Sequence, residues 1–295
     1  MAAPKTIPFL IANAFTSDRY AGNPAAVVFT TPELDLSDDT MNKIARNFNQ
    51  TMTAFVAGGT VEGDEASFDI KWFNGTQEWA ICGHATIAAL KAIRSTEGMV
   101  PASIKTYRFR RRAGSDLTIV VLVEDEQFEM TIPATEVTEI TGEEASRLRA
   151  IYERAFGKQL SVRFIGRGGP GFDSYVIIDI DTQDPLADYQ VNIEVLRETG
   201  HLCNVFTSES LDPGTAFVSR NFAPLAGLPE DHVSGSTNSL LAPYWSKRKG
   251  LGASLMPAKQ VSPRGGDVGV TWNESERTVH LKAHAVLVAG GELYL

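Results

Sequence analysis

Two segments about half a chain apart carry the same short pattern. Lys71-Trp72-Phe73-Asn74 leads to Cys82-Gly83-His84-Ala85-Thr86, and Arg220-Asn221-Phe222-Ala223 leads to Ser234-Gly235-Ser236-Thr237-Asn238. In each, a strand-like stretch runs through a turn into a Gly-polar step that opens an apolar helical run. Self-similarity at this interval is accounted for most simply by two halves of one architecture. The surrounding elements fit it. "SDDTMNKIARNF" (37–48) starts on Ser37 as a cap with two acidic residues at the positive end of the helix dipole. After it, Phe68, Ile70 and Trp72 alternate as on a half-buried strand. In the second half "TGEEASRLRAIYERAF" opens with Thr141 and Glu144 spaced as a capping box. "SVRFIG", "SYVIIDI" and "SGSTNSLLAPYW" follow. If the halves face each other, the helix starts near Gly83 and Gly235 point into one cleft. Their N–H groups would then hold a carboxylate.

The charge balance limits the partners. A net charge of −9 and a single basic run, "RFRRR" (108–112), argue against nucleic acid. That run is expected on the solvated face of a strand. Cys82 and Cys203 are the only cysteines, too few for a disulfide framework and in keeping with a reducing compartment. The first fifteen residues make a poor signal peptide and are too short to span a membrane, so a cytoplasmic protein with no membrane partner is expected. "GRGGPG" (166–171) satisfies G-x-G-x-x-G, but "FDSYVIIDI" follows it where a dinucleotide fingerprint needs a helix. It reads as a loop between strands. His280, Lys282 and His284 alternate with apolar residues as on one outer strand face, with no further metal ligand in view.

Three stretches together carry a family likeness: "AFTSDRYAGNPAAVVF" (14–29), "WFNGTQEWAICGHATIAAL" (72–90) and "NFAPLAGLPEDHVSGSTNSLLAPYW" (221–245). They resemble the phenazine-biosynthesis PhzF-like family, and the likeness continues through "VSPRGGDVGV" to "VLVAGGELYL". The resemblance implies an α+β fold similar to diaminopimelate epimerase. This has two pseudo-symmetric domains, each a curved, mostly antiparallel sheet wrapped around a central helix. The expected halves are 1–125 and 126–280, with a strand at about 281–295 able to return to the first. It also implies an isomerase without metal or organic cofactor, commonly a homodimer, that moves a proton along a small unsaturated, carboxylate-bearing substrate. His84 matches the family histidine that lines the substrate site, and Asp231 the aspartate of the second half's loop. These are the catalytic candidates. Asn23 resembles a substrate-contacting asparagine, and Gly83, Gly235 and Ser236 would offer donors to a carboxylate.

Two departures change the expected chemistry. In the epimerase relatives, two cysteines act across the cleft. Cys82 stands where the first would be, but Ser234 stands where the second would be, and a serine hydroxyl is too weak an acid or base to replace a thiol unaided. Cys82 then reads either as a small buried hydrophobe or as a substrate-site group. The family's general base is a glutamate in Asn-Leu-Ser-Glu-Thr-Ala-Phe. Here the stretch is "NQTMTAF" (49–55), with Met52 in the glutamate's place, and a thioether cannot carry a proton. Asp-Pro-Val-Thr-Gly-Ser becomes "DHVSGS", which adds His232 beside Asp231. Three readings stay open. The first is an isomerase or cyclase of secondary metabolism that uses the cleft without the glutamate, on a bulkier, less polar substrate. The second is a non-catalytic binding protein. The third is a conventional family isomerase whose base is His232 or Cys82.

Overall fold

The structure, a computed structural model, describes residues 5–31, 34, 36–111, 118–124, 126–181 and 184–295. Arg112 of the basic run and the first four residues lie outside these. The chain divides into two units, Met1–Thr131 with Lys282–Leu295, and Ile132–Leu281. Both are sheet-dominated α+β units. Among the described residues, no helix is long and apolar enough to cross a membrane.

The first unit contains β1 (Thr6–Ala14), β2 (Asn23–Thr30), α1 (Asp38–Phe48), β3 (Met52–Glu62), β4 (Glu65–Phe73), the short β5 (Glu78–Trp79) and α2 (Gly83–Ser95). β6 (Thr106–Arg111), β7 (Thr118–Glu124) and β8 (Gln127–Pro133) follow, and the chain's last strand, β18 (Ala285–Tyr294), returns to it. Its spatial order is β18-β1-β2-β3-β4-β6-β7-β8. β2 and β3 are parallel, as are β4 and β6, and the other neighbours are antiparallel. The parallel pair is buried on both faces, and so Ala25–Val28 and Met52–Val56 are buried at every position, apolar apart from Thr53, rather than alternating. α2 packs against β1, β2, β3 and β18. A helix apolar on every side must be enclosed. Ala85, Thr86, Ile87, Ala88, Ala89, Leu90, Ala92 and Ile93 are all buried. α1 forms as expected: Ser37 caps it by accepting from the Thr40 N–H, and Met41, Ile44 and Ala45 pack with Ile7, Val28, Phe55 and Phe73. Each such apolar side chain, fully buried, contributes about 1.5–3 kcal/mol.

The second unit contains β9 (Val137–Glu139), α3 (Gly142–Phe156), β10 (Ser161–Gly168), β11 (Tyr175–Asp181), β12 (Cys203–Glu209), β13 (Phe217–Ala223) and β14 (Leu228–Asp231). α4 (Asn238–Lys249), β15 (Met256–Gln260), β16 (Gly266–Asn273) and β17 (Thr278–Ala283) complete it. Its spatial order is β9-β10-β11-β12-β13-β15-β16, with β11 and β12 parallel, β13 and β15 parallel, and β14 beside β13. Strand for strand this repeats the first unit: β10-β11-β12-β13 answers β1-β2-β3-β4, α4 answers α2, and β15-β16 answers β6-β7. α4 carries Pro243, which cannot donate to the Ser239 carbonyl one turn back. The Thr135 N–H takes that carbonyl at 2.9 Å, so the helix continues.

Several local expectations need correction. The helix order places α1 and α3 side by side as equivalents, but α1 lies between β2 and β3, whereas α3 precedes β10. The true counterpart of α1 is the crossover from β11 to β12. That crossover holds only 3-10 turns at Leu186–Asp188 and Ile193–Thr199, where Pro185 and the β-branched Val191, Ile193 and Val195 disfavour an α-helix. Thr141 occupies the N-cap of α3 but makes no capping bond; Glu144 pairs with Arg167 instead of closing a capping box. α4 begins at Asn238 rather than at Gly235, after a turn in which the N–H groups of Asn238 and Ser239 reach back to Gly235 and Ser236. "GRGGPG" ends β10 and turns into β11 without opening a helix, as its sequence context requires.

Candidate active site

In the first unit the site is assembled where β2, β3 and α2 all begin. Gly22 sits at φ +75°, and a Cβ there would lie 2.3 Å from the Ala14 carbonyl, so only glycine brings the chain into β2 at this point. The next residue, Asn23, is fully buried. α1 stops at Asn49, a C-cap in the left-handed region, and three residues later the chain enters β3. The parallel register sets Met52 opposite Ala25, which brings Thr51 to the start of β2. The Thr51 Oγ1 lies 2.8 Å from Asn23 Oδ1, 2.7 Å from the Pro24 carbonyl and 3.2 Å from His84 Nε2. Asn23, Thr51 and His84 thus form one connected polar group in an otherwise apolar region.

Cys82 is the N-cap of α2 and makes no side-chain cap bond. Its sulfur lies 3.3 Å from His84 Nδ1 and 3.9 Å from Nε2. Near-equal distances to two nitrogens on one side of the ring place the sulfur against the ring rather than in line with one lone pair. At 8 % exposure, Cys82 is packed against the imidazole. Met52 is 5 % exposed, so position 52 is an apolar, water-poor environment. A Cβ on Gly83 would meet only the flexible tip of Met130, at 2.8 Å, so this glycine is favoured by space rather than by backbone conformation.

In the second unit the candidates lie on the approach to α4. Asp231 ends β14, opposite Asn221 of β13. Beneath it the buried Arg220 grips Glu230 through two hydrogen bonds of 2.7 and 2.9 Å and donates to the Tyr189 carbonyl at 2.6 Å. Gln260 straps the loop: its Nε2 donates to the Asp231 carbonyl at 2.6 Å, and its Oε1 accepts from the Ser234 N–H at 2.9 Å. The Ser262 hydroxyl donates to the His232 carbonyl at 2.6 Å. The His232 ring is held below its ordinary pKa by burial and by Arg264, with Glu230 opposing. Ser234 and Ser236 hydroxyls are 3.3 Å apart, and the Tyr175 hydroxyl is 3.5 Å from Ser236. Tyr175 sits opposite Cys203 in the β11/β12 register. Burial pushes the Cys203 thiol up to about 12; hydrogen bonds with Tyr175 and Asn221 oppose this and the Asp231 charge adds to it. Burial likewise raises the Tyr175 phenol far above its usual range. At neutral pH these four side chains are uncharged groups able to donate hydrogen bonds.

The structure thus gathers Asn23, Met52, Cys82, Gly83 and His84 around one end of α2. It gathers Asp231, His232, Ser234, Gly235 and Ser236 along the run into α4. Sequence reasoning missed Thr51, although it directly precedes Met52. It also missed that Cys203 is the topological counterpart of Met52, each being the first residue of the strand that pairs in parallel with its unit's β2-type strand. Carrying the repeat one strand further upstream would have found this. Lys282 pairs with Glu129, and the His284 ring lies 3.2 Å from the Gln127 amide. Among the described residues, no group of three His, Cys, Asp or Glu side chains is arranged to hold a metal ion.

Comparison with known proteins shows the family. Residues 12–291 match the PhzC-PhzF family model, described as phenazine biosynthesis-like protein. The chain is 32 % identical to the mouse (Mus musculus) phenazine biosynthesis-like domain-containing protein 2, over 97 % of this chain and 99 % of the relative. It is also 32 % identical to a Pseudomonas aeruginosa protein named as an uncharacterized isomerase, over 96 % and 97 % of the two chains. A crystal structure of a phenazine biosynthesis PhzF family protein from Enterococcus faecalis superposes with a TM-score of 0.82 at 28 % identity, covering 99 % of this chain and all of the other.

Proposed function

The chain belongs to the phenazine biosynthesis-like family, and on that premise we propose that it is an isomerase. It moves a proton along a small unsaturated or carboxylate-bearing metabolite without an organic cofactor. The reading is carried by the Asn23–Thr51–His84 group, which holds an imidazole rigidly at the start of α2, next to a position where the family's carboxylate is replaced by a buried thioether. The proton chemistry falls to His84. Asp231, anchored through β14 and Gln260, is the second polar group on which the reaction depends. Ser234, Ser236 and Tyr175 supply uncharged donors suited to a carboxylate or an enolate oxygen. The apolar character at residue 52 favours a substrate bulkier and less polar than one that would face a glutamate, as in secondary metabolism. A homodimer is part of the same proposal.

A panel of small unsaturated carboxylic acids, followed by proton NMR for migration of the double bond, tests it. Wild type should turn over at least one member. His84→Ala and Asp231→Asn should each lower that turnover at least about tenfold, because each removes a polar contact placed for the reaction. The burial of Met52 gives the binding-protein reading its own support. Ligands that bind and shift the melting temperature with no turnover of any panel member would decide for it.

A further inference from the structure

The hydrogen-bond count around Thr51 determines which nitrogen of His84 can do acid–base work. A threonine hydroxyl has one hydrogen to give and two lone pairs. The Pro24 carbonyl, 2.7 Å away, is only ever an acceptor, and so is Asn23 Oδ1 at 2.8 Å. Two oxygens this close need a hydrogen between them, so the Thr51 proton is directed at this pair. Turning the Asn23 amide over does not alter this, because the Pro24 carbonyl still requires it. The Thr51 oxygen therefore faces His84 Nε2, at 3.2 Å, with a lone pair, and Nε2 must carry a hydrogen.

We propose that Thr51 is a positioning residue that locks His84 in its Nε2–H form, so that the ring takes up and returns protons only at Nδ1. This rests on the reading of His84 as the proton carrier and specifies how it acts. The substrate C–H proton passes to Nδ1, giving an imidazolium whose Nε2–H remains on Thr51. The same Nδ1 proton is then delivered to another substrate carbon, and the enzyme returns to its starting state. The lock also keeps the ring from turning over, since a flipped ring would set a carbon against Thr51. Asn23 has the supporting part: it and Pro24 claim the Thr51 hydrogen. A neutral imidazole held in one tautomer stands in for the carboxylate that Met52 cannot supply.

The wild-type protein, labelled with 15N-histidine, tests this directly. Long-range 1H–15N correlation spectra at pH 8 should show Nε2 of His84 as the protonated nitrogen and Nδ1 as the unprotonated one, as a single tautomer, with His84→Asn supplying the assignment. Thr51→Val should let both tautomers appear, as in free imidazole, and lower turnover of an identified substrate about tenfold, mainly in kcat. Thr51→Ser, which keeps the hydroxyl, should restore both. A wild-type spectrum with hydrogen on Nδ1, or with both tautomers mixed, overturns the proposal even if Thr51→Val does not fold. So does a folded Thr51→Val protein that matches wild type in tautomer and rate. A correct tautomer in a protein that turns nothing over leaves the lock standing and removes the isomerase reading.

Discussion

Replacing Met52 by glutamate supplies the carboxylate that the family resemblance leads one to expect there, and asks whether the surroundings accept one. The side chain is 5 % exposed, at the start of a strand buried on both faces. An ionised carboxylate there is poorly solvated, so the folded protein holds it protonated. A glutamate of ordinary pKa about 4.3 that stays protonated in the fold at pH 7 costs up to about 3.7 kcal/mol, at about 1.36 kcal/mol per pH unit. Loss of the thioether's packing adds about 1–3 kcal/mol. Met52→Gln has nearly the same shape and no charge, so it isolates the first contribution. The sign is definite. The folded-state pKa is raised, so the fold binds the proton more tightly than the unfolded chain does. The glutamate variant's deficit relative to the glutamine variant is therefore largest above the folded pKa and shrinks as pH falls toward about 4.3. Urea unfolding of the three proteins between pH 5 and 8 measures it. The glutamate variant should also fail to accelerate the native reaction. A deficit that does not change with pH, or a variant faster than wild type, would show that position 52 still suits a carboxylate and that the altered chemistry inferred here is wrong.

Other consequences follow from the second unit and from two of its imidazoles. Arg220→Ala leaves the half-buried Glu230 without its partner and frees β14, and should cost about 3–5 kcal/mol in chemical denaturation, whereas an exposed pair such as Lys43–Asp39 should cost under about 1 kcal/mol. His201 and His232 both have folded pKa values lowered from 6.5, mainly by burial. The unfolded chain therefore takes up their protons first. Thermal stability should be full above about pH 6.5 and fall as the pH drops below it toward the folded values, and His201→Gln with His232→Gln should flatten that slope.

Much of the fold was legible because its signals are local. Ser37 marks the start of α1, alternation at Phe68, Ile70 and Trp72 marks β4, and the apolar run after His84 marks α2. The Gly-polar steps exposed the repeat because each half needs a strand, a turn and a helix start in the same succession. What could not be read depended on pairing between distant strands. Thr51 matters only because β3 lies parallel to β2 in the register that sets Met52 on Ala25. Cys203 matters only because β12 repeats that register beside Tyr175. The misplaced equivalence of α1 and α3 has the same origin, since helix order alone does not show which crossover a helix occupies. Cys82 was left between packing and chemistry. Its sulfur rests against the His84 ring, out of line with the nitrogen lone pairs, which is packing geometry.

On the proposed reading the chain isomerises its substrate through His84, with methionine rather than a carboxylate at residue 52. The most direct measurement is the steady-state rate of isomerisation of an identified substrate by wild type and by His84→Asn, a variant that keeps a polar side chain but neither takes up nor releases a proton near neutral pH. Both proteins must first be shown folded by their unfolding curves. The account predicts a fall in kcat of at least about tenfold, with a much smaller change in KM. Equal rates would contradict it and return the chemistry to another group.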